Sequence, residues 1–433
     1  MSESTPANGQ PPSMNIRQLL GLADFRFLWI GQIISNFGDS VTALTLILLI
    51  NRATGGDTAA IAYLLIAMAL PQATIGLVAG VFVDRWDRKR VMIFSDLVRG
   101  FLVLAFLLTG TAEHINLFLL YVIAFAHSAI GAFFTPARSA VIPLVIPKDG
   151  LLSANSLSQT SFVFFRLLGT AAAGFLVGAL DVFWPAYVID ASTFFVSALF
   201  ISRVALPPMA GVKEMGVATV SAVLGEMRAG FGLLVQSRIL IGTLVAAGVA
   251  MLGLGAVNVL LAPMIVNDLK IAETWFGAIE LSQVAGMIIS GSLVAVLAAR
   301  FKPTSMISGG LIGIGIGVAL LALILNVWHL FIVLFIIGLM STPLNSAEVT
   351  LIQLVVENEV MGRVSAALGA IIQVANLVSM FAAGTLAALV GVRNVFVIGG
   401  VMAIVAGFAA AAVFRGFEPP VKAEEAPTVQ VIA

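Results

Sequence analysis

Ionisable side chains inside long apolar stretches are the residues of this chain best placed for proton chemistry. Asp39 lies in the apolar stretch 25–50, and Arg166 lies in the stretch 155–180. A charge in the middle of a membrane-spanning helix costs about 2.5–3.5 kcal/mol on insertion scales, so such residues are expected to face the protein interior or water. Gln32, Asn36 and Asp39 are spaced i, i+4 and i+7, which predicts one polar helix face.

Asp39 and Arg166 lie at similar depths in their stretches, and we expect them to pair. A nearby cation favours the charged form of a carboxylate, whereas the exclusion of water favours its neutral, protonated form. A cavity that opens and closes would therefore let Asp39 bind a proton on one side of a membrane and release it on the other. The alternative is a permanent structural ion pair that never titrates.

Further candidates for a proton or substrate site lie in other apolar stretches. His127 is expected at mid-helix, where it is either a proton relay or a satisfied interior histidine. Glu280 with Gln283 gives the second half of the chain a polar face, and Glu348 is expected nearer the inner surface. These residues predict a mostly apolar cavity with a few polar groups.

The elements that position these residues are membrane-spanning helices. The chain has 433 residues, of which 60% are hydrophobic and 10% charged, which is more apolar surface than a water-soluble domain buries. Runs of about 20 apolar residues cross a hydrocarbon core as helices, and the sequence contains twelve, so we predict an all-α integral membrane protein. The predicted spans are 25–50, 59–83, 91–109, 115–137, 155–180, 182–202, 239–266, 274–299, 304–326, 328–356, 361–390 and 394–414.

The distribution of Lys and Arg predicts the orientation. Seventeen of the 22 cationic residues fall on the side of the two termini, and three fall on the opposite side. The positive-inside rule therefore predicts that both termini are cytoplasmic in a cell membrane. Lys+Arg and Asp+Glu are equal in number, which gives no indication of a nucleic-acid partner, and the absence of cysteine excludes disulfides and thiol chemistry.

The chain divides into two related halves. We predict a cytoplasmic tail over 1–24, six spans over 25–203, a linker over 204–238, six spans over 239–414 and a second tail over 415–433. Residues 220–234 carry apolar side chains at helical spacing, which predicts an amphipathic helix on the cytoplasmic face. The pattern TPxxSA occurs at 135–140 and again at 342–347, and spans five and eleven share AAG-rich segments. A parallel duplication of a six-helix bundle explains this repetition.

The heptapeptide DRWDRKR, residues 84–90, places six charges between spans two and three. Topology alone favours its cations, but Asp84 at the end of a span adds nothing to topology and is suited to accept hydrogen bonds from the N-terminus of another helix. Gly80 allows close helix approach, and Asp96 with Arg99 is expected to form a local ion pair that supports a cytoplasmic gate. The other predicted gate residues are Arg85, Arg88, Lys89, Arg90 and Arg138.

The segment GVFVDRWDRKR, residues 80–90, resembles the signature loop of the major facilitator superfamily. The segments WIGQIISNFGDS, FTPARSAVIP and ANSLSQTSFVFFRLLGT further resemble the macrolide and siderophore exporters of that superfamily. The second half's equivalent loop, AARFKP at 298–303, has no acidic residue. The resemblance implies two bundles that alternate access, and a loop at 84–90 that latches against the start of span eleven near Gly362 and Arg363.

The resemblance implies a proton-coupled antiporter that exports drugs or siderophores. Its expected partners are a small-molecule substrate, protons and the lipid bilayer, and we expect a monomer with no cofactor, no metal site and no enzymatic activity. The alternatives are a proton-coupled importer of a small metabolite and a transport-dead receptor on the same scaffold.

Overall fold

Twelve long apolar helices form the protein. The computed structural model describes residues 14–83, 85–206, 220–356 and 360–416, and the described part contains twelve helices long and apolar enough to cross a membrane. The prediction of an all-α membrane protein with twelve spans is confirmed. The first six spans are α2 (Ala23–Ala53), α3 (Thr58–Val83), α4 (Arg88–Ala105), α5 (Leu117–Val145), α6 (Leu151–Leu180) and α7 (Trp184–Ser202), and they follow a short helix α1 (Ile16–Gly21).

The second six spans follow the linker helix α8 (Val220–Gln236). They are α9 (Arg238–Pro263), α10 (Phe276–Arg300), α11 (Pro303–Leu321), α12 (Val327–Val355), α13 (Met361–Val390) and α14 (Val392–Val413). Short turns extend three spans: a 3-10 turn at Phe106–Thr109 follows α4, a π-helical turn at Met264–Asp268 follows α9, and a 3-10 turn at Glu273–Trp275 precedes α10.

Two predicted boundaries are wrong by more than a few residues. Span four was expected to end at 137, but α5 continues to Val145 with Pro136 and Pro143 inside it. Neighbouring helices and local adjustments satisfy the backbone groups that proline frees in such helices, so proline does not end them. Span nine was expected to reach 326, but α11 ends at Leu321.

Polar side chains set the starts of several helices. Asp87 accepts a hydrogen bond from the backbone N–H of Arg90 at 3.0 Å and begins α4. Asn116 and Asn326 cap α5 and α12 in the same way, through bonds of 3.0 and 3.1 Å to the third residue of each helix. These caps satisfy N–H groups that have no partner inside the helix.

The two halves repeat the same packing. In the first half α2 packs on α6 and α7, α3 packs on α5, and α4 packs on α5 and α7. In the second half α9 packs on α13 and α14, α10 on α12, and α11 on α12 and α14. Each pairing of one half has its counterpart in the other, which confirms two six-helix bundles related by a parallel repeat.

The linker helix α8 lies against the second bundle. Gly230 of α8 contacts the backbone of Arg363 in α13, and the buried Leu234 packs with Val364 and Ala367. Residues 207–219 of the predicted linker lie outside the described residues. The end of the linker's apolar stripe at Leu234 therefore packs against α13. We call the end of the molecule where α2 begins and α14 ends the termini side, and the opposite end the far side.

Candidate functional site

An ion pair between Asp39 and Arg99 lies at mid-depth in the first bundle. Asp39 is on α2 and Arg99 is on α4, eleven residues after the first residue of that helix. Nη2 of Arg99 donates to both carboxylate oxygens of Asp39 at 2.8 Å. The Asp39 side chain stays 34% exposed, whereas that of Arg99 is 12% exposed. The carboxylate is therefore held by a nearly buried cation and keeps an open side.

Two predicted pairs are not formed. Asp39 was expected to pair with Arg166, but its partner is Arg99, because Arg166 of α6 faces Glu280 of α10. Asp96 was expected to pair with Arg99 at i, i+3 spacing, but Arg99 turns toward α2 and leaves both oxygens of Asp96 buried without a hydrogen-bond partner in the described part of the chain. Asp96 and Arg99 were predicted to support a gate near the start of α4, but they lie eight and eleven residues after the first residue of that helix.

His127 and Phe194 enclose the ion pair. Nε2 of His127 lies 3.7 Å from Oδ1 of Asp39, and the histidine is buried. The guanidinium carbon of Arg99 lies 4.2 Å from the ring centroid of Phe194, a cation–π contact. The His127 ring meets the same phenylalanine edge to face at 5.5 Å. His127 therefore faces the interior beside Asp39, and its Nε2 has no hydrogen-bond partner among the described residues.

Asp190 of α7 joins this group, and the sequence argument missed it. It is fully buried within electrostatic reach of Asp39 and Arg99, and one of its carboxylate oxygens has no hydrogen-bond partner among the described residues. The hydroxyl of Thr193 lies 3.3 Å from its other oxygen. The i, i+3 and i+7 spacing of Asp190, Thr193 and Ser197 marks a polar helix face, and that signal was present in the sequence.

These residues form one group, which we call the acid cluster. Its members are Asp39, Asp96, Arg99, His127 and Asp190. Three carboxyl groups thus share a single guanidinium inside a membrane-spanning bundle. Uncompensated charge in such a place is expensive, so the arrangement is suited to bind and release protons.

The second-half candidates do not join the acid cluster. Glu280 lies beside Arg166 and Thr170 of α6, so it connects the two bundles. Gln283 lies one turn further along α10, where its backbone contacts Gly338 of α12. Glu348 of α12 has one buried carboxylate oxygen with no hydrogen-bond partner among the described residues.

The other two polar residues of span one lie on α2. Gln32 is buried, and its amide nitrogen has no hydrogen-bond partner in the part of the chain that the structure describes. Asn36 is half-buried, and its backbone carbonyl accepts from the hydroxyl of Ser40 at 2.9 Å. Neither contacts the Asp39–Arg99 ion pair through a hydrogen bond in the described structure.

The far side is closed by contacts between the two halves, which we call the far-side junction. Arg52 of α2 binds both Asp181 of its own half and Glu273 of the other half. The amide side chains of Asn51 and Asn267 exchange hydrogen bonds of 3.1 and 2.9 Å. A further hydrogen bond between the halves lies nearby, from the Thr58 hydroxyl to the Gly384 carbonyl at 2.8 Å.

The predicted gate residues lie on the termini side. Asp84 lies outside the described residues, so the predicted latch stays a prediction. Lys89 donates to the carbonyl of Val204 at 2.7 Å, and Arg90 lies 3.6 Å from the carboxylate of Asp87, so these two cations hold contacts within the first half. Arg85 is exposed, whereas Gly80, Arg88 and Arg138 are half-buried, and the Cβ position of Gly80 faces open space.

An apolar cavity of about 710 Å³, which we call the wedge cavity, lies between the halves. Ala73 of α3 forms one wall, and α9, α13 and Phe231 of the linker helix form the others. All its side chains are apolar: Ala73, Phe231, Val245, Val249, Leu252, Ala370, Ile371, Val374, Ala375 and Val378, with Gly248. The helices α3 and α13 touch at Thr58 and Gly384 and leave this space further from the far side.

The α3 helix connects the wedge cavity with the acid cluster. Gln72, next to Ala73, donates to the carbonyl of Ser128 at 3.1 Å. A Cβ at Gly131 would lie 3.6 Å from the Gln72 amide nitrogen and 3.4 Å from Nε of Arg99. A movement of α3 therefore changes both the cavity wall and the surroundings of Arg99.

Two repeated six-helix bundles are the fold of transporters of the major facilitator superfamily, which are not enzymes, and the family match assigns this chain to them. The chain belongs to the family described as transmembrane secretion effector, whose pattern matches residues 20–428. It is 24% identical over 388 residues to macrolide efflux protein A of Streptococcus pyogenes, covering 88% of this chain and 93% of that protein. A putative bacilysin exporter of Bacillus subtilis is 36% identical over 131 residues, 29% of this chain and 31% of that protein.

Solved structures share the fold. A nucleoside transporter crystal structure superposes with a TM-score of 0.73 at 13% identity, covering 90% of this chain and 99% of that chain. A bacterial homologue of the iron transporter ferroportin, solved in an inward-facing state, gives a TM-score of 0.71 at 14% identity over 92% of this chain and 99% of that chain. At these identities the likeness concerns the fold alone.

Proposed function

We propose that this transporter exports amphiphilic small molecules from the cytoplasm in exchange for protons, by alternating access. The acid cluster is the single observation that carries the proposal. Ionisable groups inside membrane spans mark substrate or proton pathways, and three carboxyl groups around one buried arginine are suited to bind a proton.

The direction of transport is supported by the relatives and by the charge distribution. Macrolide efflux protein A and the putative bacilysin exporter are named for export. The excess of Lys and Arg on the termini side favours a cytoplasmic location for that side. In that orientation the far-side junction seals the extracellular end, and the conformation is the one that receives substrate from the cell.

Proton coupling rests on charge balance within the acid cluster. In the sealed conformation Asp39 is paired with Arg99 and partly open, whereas Asp96 and Asp190 are fully buried. Opening of the far side would separate α2 from Asn267 and Glu273 of the other half, and would change the access of water to Asp39. A proton that enters from outside would then leave to the cytoplasm when the bundles return, while substrate moves the other way.

The substrate class rests on the wedge cavity. A volume of about 710 Å³ falls in the range of small-molecule sites, which are mostly apolar with a few polar groups. Its apolar walls suit the body of a bulky amphiphile, and its wall at Ala73 belongs to the same helix as Gln72. Bulky amphiphiles such as macrolides are therefore the first compounds to test.

Inverted membrane vesicles test the proposal. Respiration acidifies their interior and quenches acridine orange, and a substrate that exchanges for protons restores the fluorescence. We expect erythromycin or another bulky amphiphile to restore fluorescence with the wild-type protein and not with Asp39→Asn. Fluorescence that no compound restores, together with substrate uptake into right-side-out vesicles, would indicate an importer, and binding without movement in either vesicle would indicate a receptor.

A further inference from the structure

A second, polar cavity lies on the termini side, away from the transport path described above. Its volume is about 440 Å³, and it lies between the start of α11 and the end of α14. Lys302, Thr304, Ser305 and Ser308 line it from α11 and the residue before that helix, and Phe414 and Arg415 line it from the end of α14.

The cavity is cationic. Lys302 and Arg415 both line it, and no salt bridge joins either of them to a carboxylate in the described part of the chain. Both are exposed, so their charges are available to a ligand. Phe414 is buried and gives the cavity one apolar wall.

A mostly buried threonine lines this cavity. Thr304 is 8% exposed, and its hydroxyl forms no hydrogen bond with any described residue. The hydroxyl of Ser308, one turn further, donates to the carbonyl of Thr304 at 3.0 Å and keeps its own oxygen as an acceptor. A hydroxyl that lines a cavity and has no described partner is free to donate a hydrogen bond to a ligand bound there.

The corresponding helix of the first half begins with an acidic cap, which this site does not have. The α4 helix is the repeat counterpart of α11, and the carboxylate of Asp87 caps its N-terminus. At the start of α11, Lys302 occupies the cap position and provides no side-chain hydrogen bond. The sequence of the second loop has lost its acidic residue, so the positive end of the α11 dipole faces two cations with no anion supplied by the loop.

We propose that this cavity binds the phosphate of an anionic phospholipid headgroup. Lys302 and Arg415 supply the charge, and Thr304 supplies a hydrogen bond to a phosphate oxygen. The cavity lies at the ends of two membrane spans, where headgroups are found, and basic cavities between spans at the cytoplasmic leaflet are suited to such lipids. Phe414 and the exposed Phe301 offer apolar surface to the glycerol and upper acyl region.

Thermal unfolding of the detergent-purified full chain, titrated with lipid, tests this site. We expect dioleoyl phosphatidylglycerol to raise the unfolding midpoint, and dioleoyl phosphatidylcholine and inorganic phosphate to leave it unchanged. Lys302→Gln and Arg415→Gln should each raise the half-saturating lipid concentration about fivefold, which corresponds to about 1 kcal/mol per cation. Thr304→Val, which keeps the shape and the charges, should raise it by a similar factor.

Arg300→Gln is the matched control, because Arg300 is a neighbouring cation that does not line the cavity. It should bind phosphatidylglycerol as the wild type does, and all four variants should unfold at the wild-type temperature without lipid. Equal stabilisation by phosphatidylcholine, or undiminished binding by the Lys302 and Arg415 variants, would overturn the site. Stabilisation by inorganic phosphate alone would assign it to a free anion and overturn the lipid proposal.

Discussion

The two bundles share one architecture but differ in the residues that lie where their helices cross. In the first bundle α2 and α7 cross at Gly38, which lies against Asp190 and Thr193. In the second bundle α9 and α14 cross at Gly253, which lies against the backbone of Gly399. Gly38 and Gly253 occupy the same position, 15 residues after the first residue of their helices. The same helix crossing therefore contains a carboxyl group in the first half and a close contact between two backbones in the second half.

The α4 and α11 helices differ in the same way. Asp96 and Arg99 lie eight and eleven residues after the start of α4, and the residues at the same positions of α11 are the buried Leu311 and Ile314. The described part of α11 has no charged residue. At these two helix positions the duplicated fold therefore carries ionisable groups in the first half and apolar side chains in the second.

The largest expected effect comes from removing the carboxylate of the first bundle. Asp39→Asn should abolish proton-driven accumulation, which one proton moving through about 150 mV supports to roughly 300-fold. Glu348→Gln, a buried acid of the second bundle, should retain most of it. Substrate accumulation in inverted vesicles measures both.

Asp39→Asn removes the carboxylate that accepts both hydrogen bonds from Arg99, and breaking a buried pair by removing one partner destabilises a protein by itself. The double variant Asp39→Asn with Arg99→Gln removes both charges and should fold while still failing to accumulate substrate. Wild-type accumulation by Asp39→Asn, or a loss confined to Glu348→Gln, would reverse the assignment of roles to the two halves.

The junction between the halves gives the next effect. Arg52→Gln removes a contact to Glu273 that crosses between the bundles, so the far side should open more often. The chain has no cysteine, so a single Ala62→Cys, buried at this interface, reports opening through its rate of maleimide labelling. We expect labelling about tenfold faster with Arg52→Gln, which corresponds to about 1.4 kcal/mol.

Arg393→Gln is the control for that experiment. Arg393 is also a far-side cation, but its partners, the Ala322 carbonyl at 2.9 Å and Asp268 at 3.7 Å, belong to its own half. Labelling should stay at the wild-type rate. Equal acceleration by both substitutions would mean that the far-side junction depends on general charge and not on the bridge between halves.

The smallest effect concerns packing in the second bundle. An added Cβ at Gly253 would lie 3.0 Å from the Gly399 carbonyl carbon, and backbone cannot move aside as a side chain can. Gly253→Ala should lower the free energy of unfolding by about 1–3 kcal/mol. Gly248→Ala, whose Cβ would enter open space in the same helix, should be neutral or slightly stabilising. Thermal unfolding in detergent compares them, and equal midpoints would contradict the backbone contact.

Hydropathy was sufficient to predict the spans, because bilayer thickness fixes the length of an apolar helix. The end of span four was misplaced because Pro136 and Arg138 resemble a helix end, although α5 continues through them. The position of Asp39 as an interior acid followed from depth alone. Its partner did not, since depth does not specify which helix faces which, and only packing brings Arg99 rather than Arg166 to α2.

Asp190 is a second residue whose helix partner could not be predicted from its depth in the membrane. The sequence argument did not assign Asp190 to the site, yet the crossing of α2 and α7 at Gly38 brings it to the acid cluster. A glycine opposite a polar helix face is a signal that sequence can offer only once the pair of helices is known.

Proton release on substrate binding tests the central claim, that the acid cluster of the first bundle couples protons to export. Purified protein in weakly buffered detergent with a pH-indicator dye would receive the compound that is active in vesicles. We predict release of about one proton per substrate bound by the wild type and by Glu280→Gln with Glu348→Gln, and none by Asp39→Asn. Absence of release from the wild type, or release that is lost only in the Glu280 and Glu348 variant, would contradict the account.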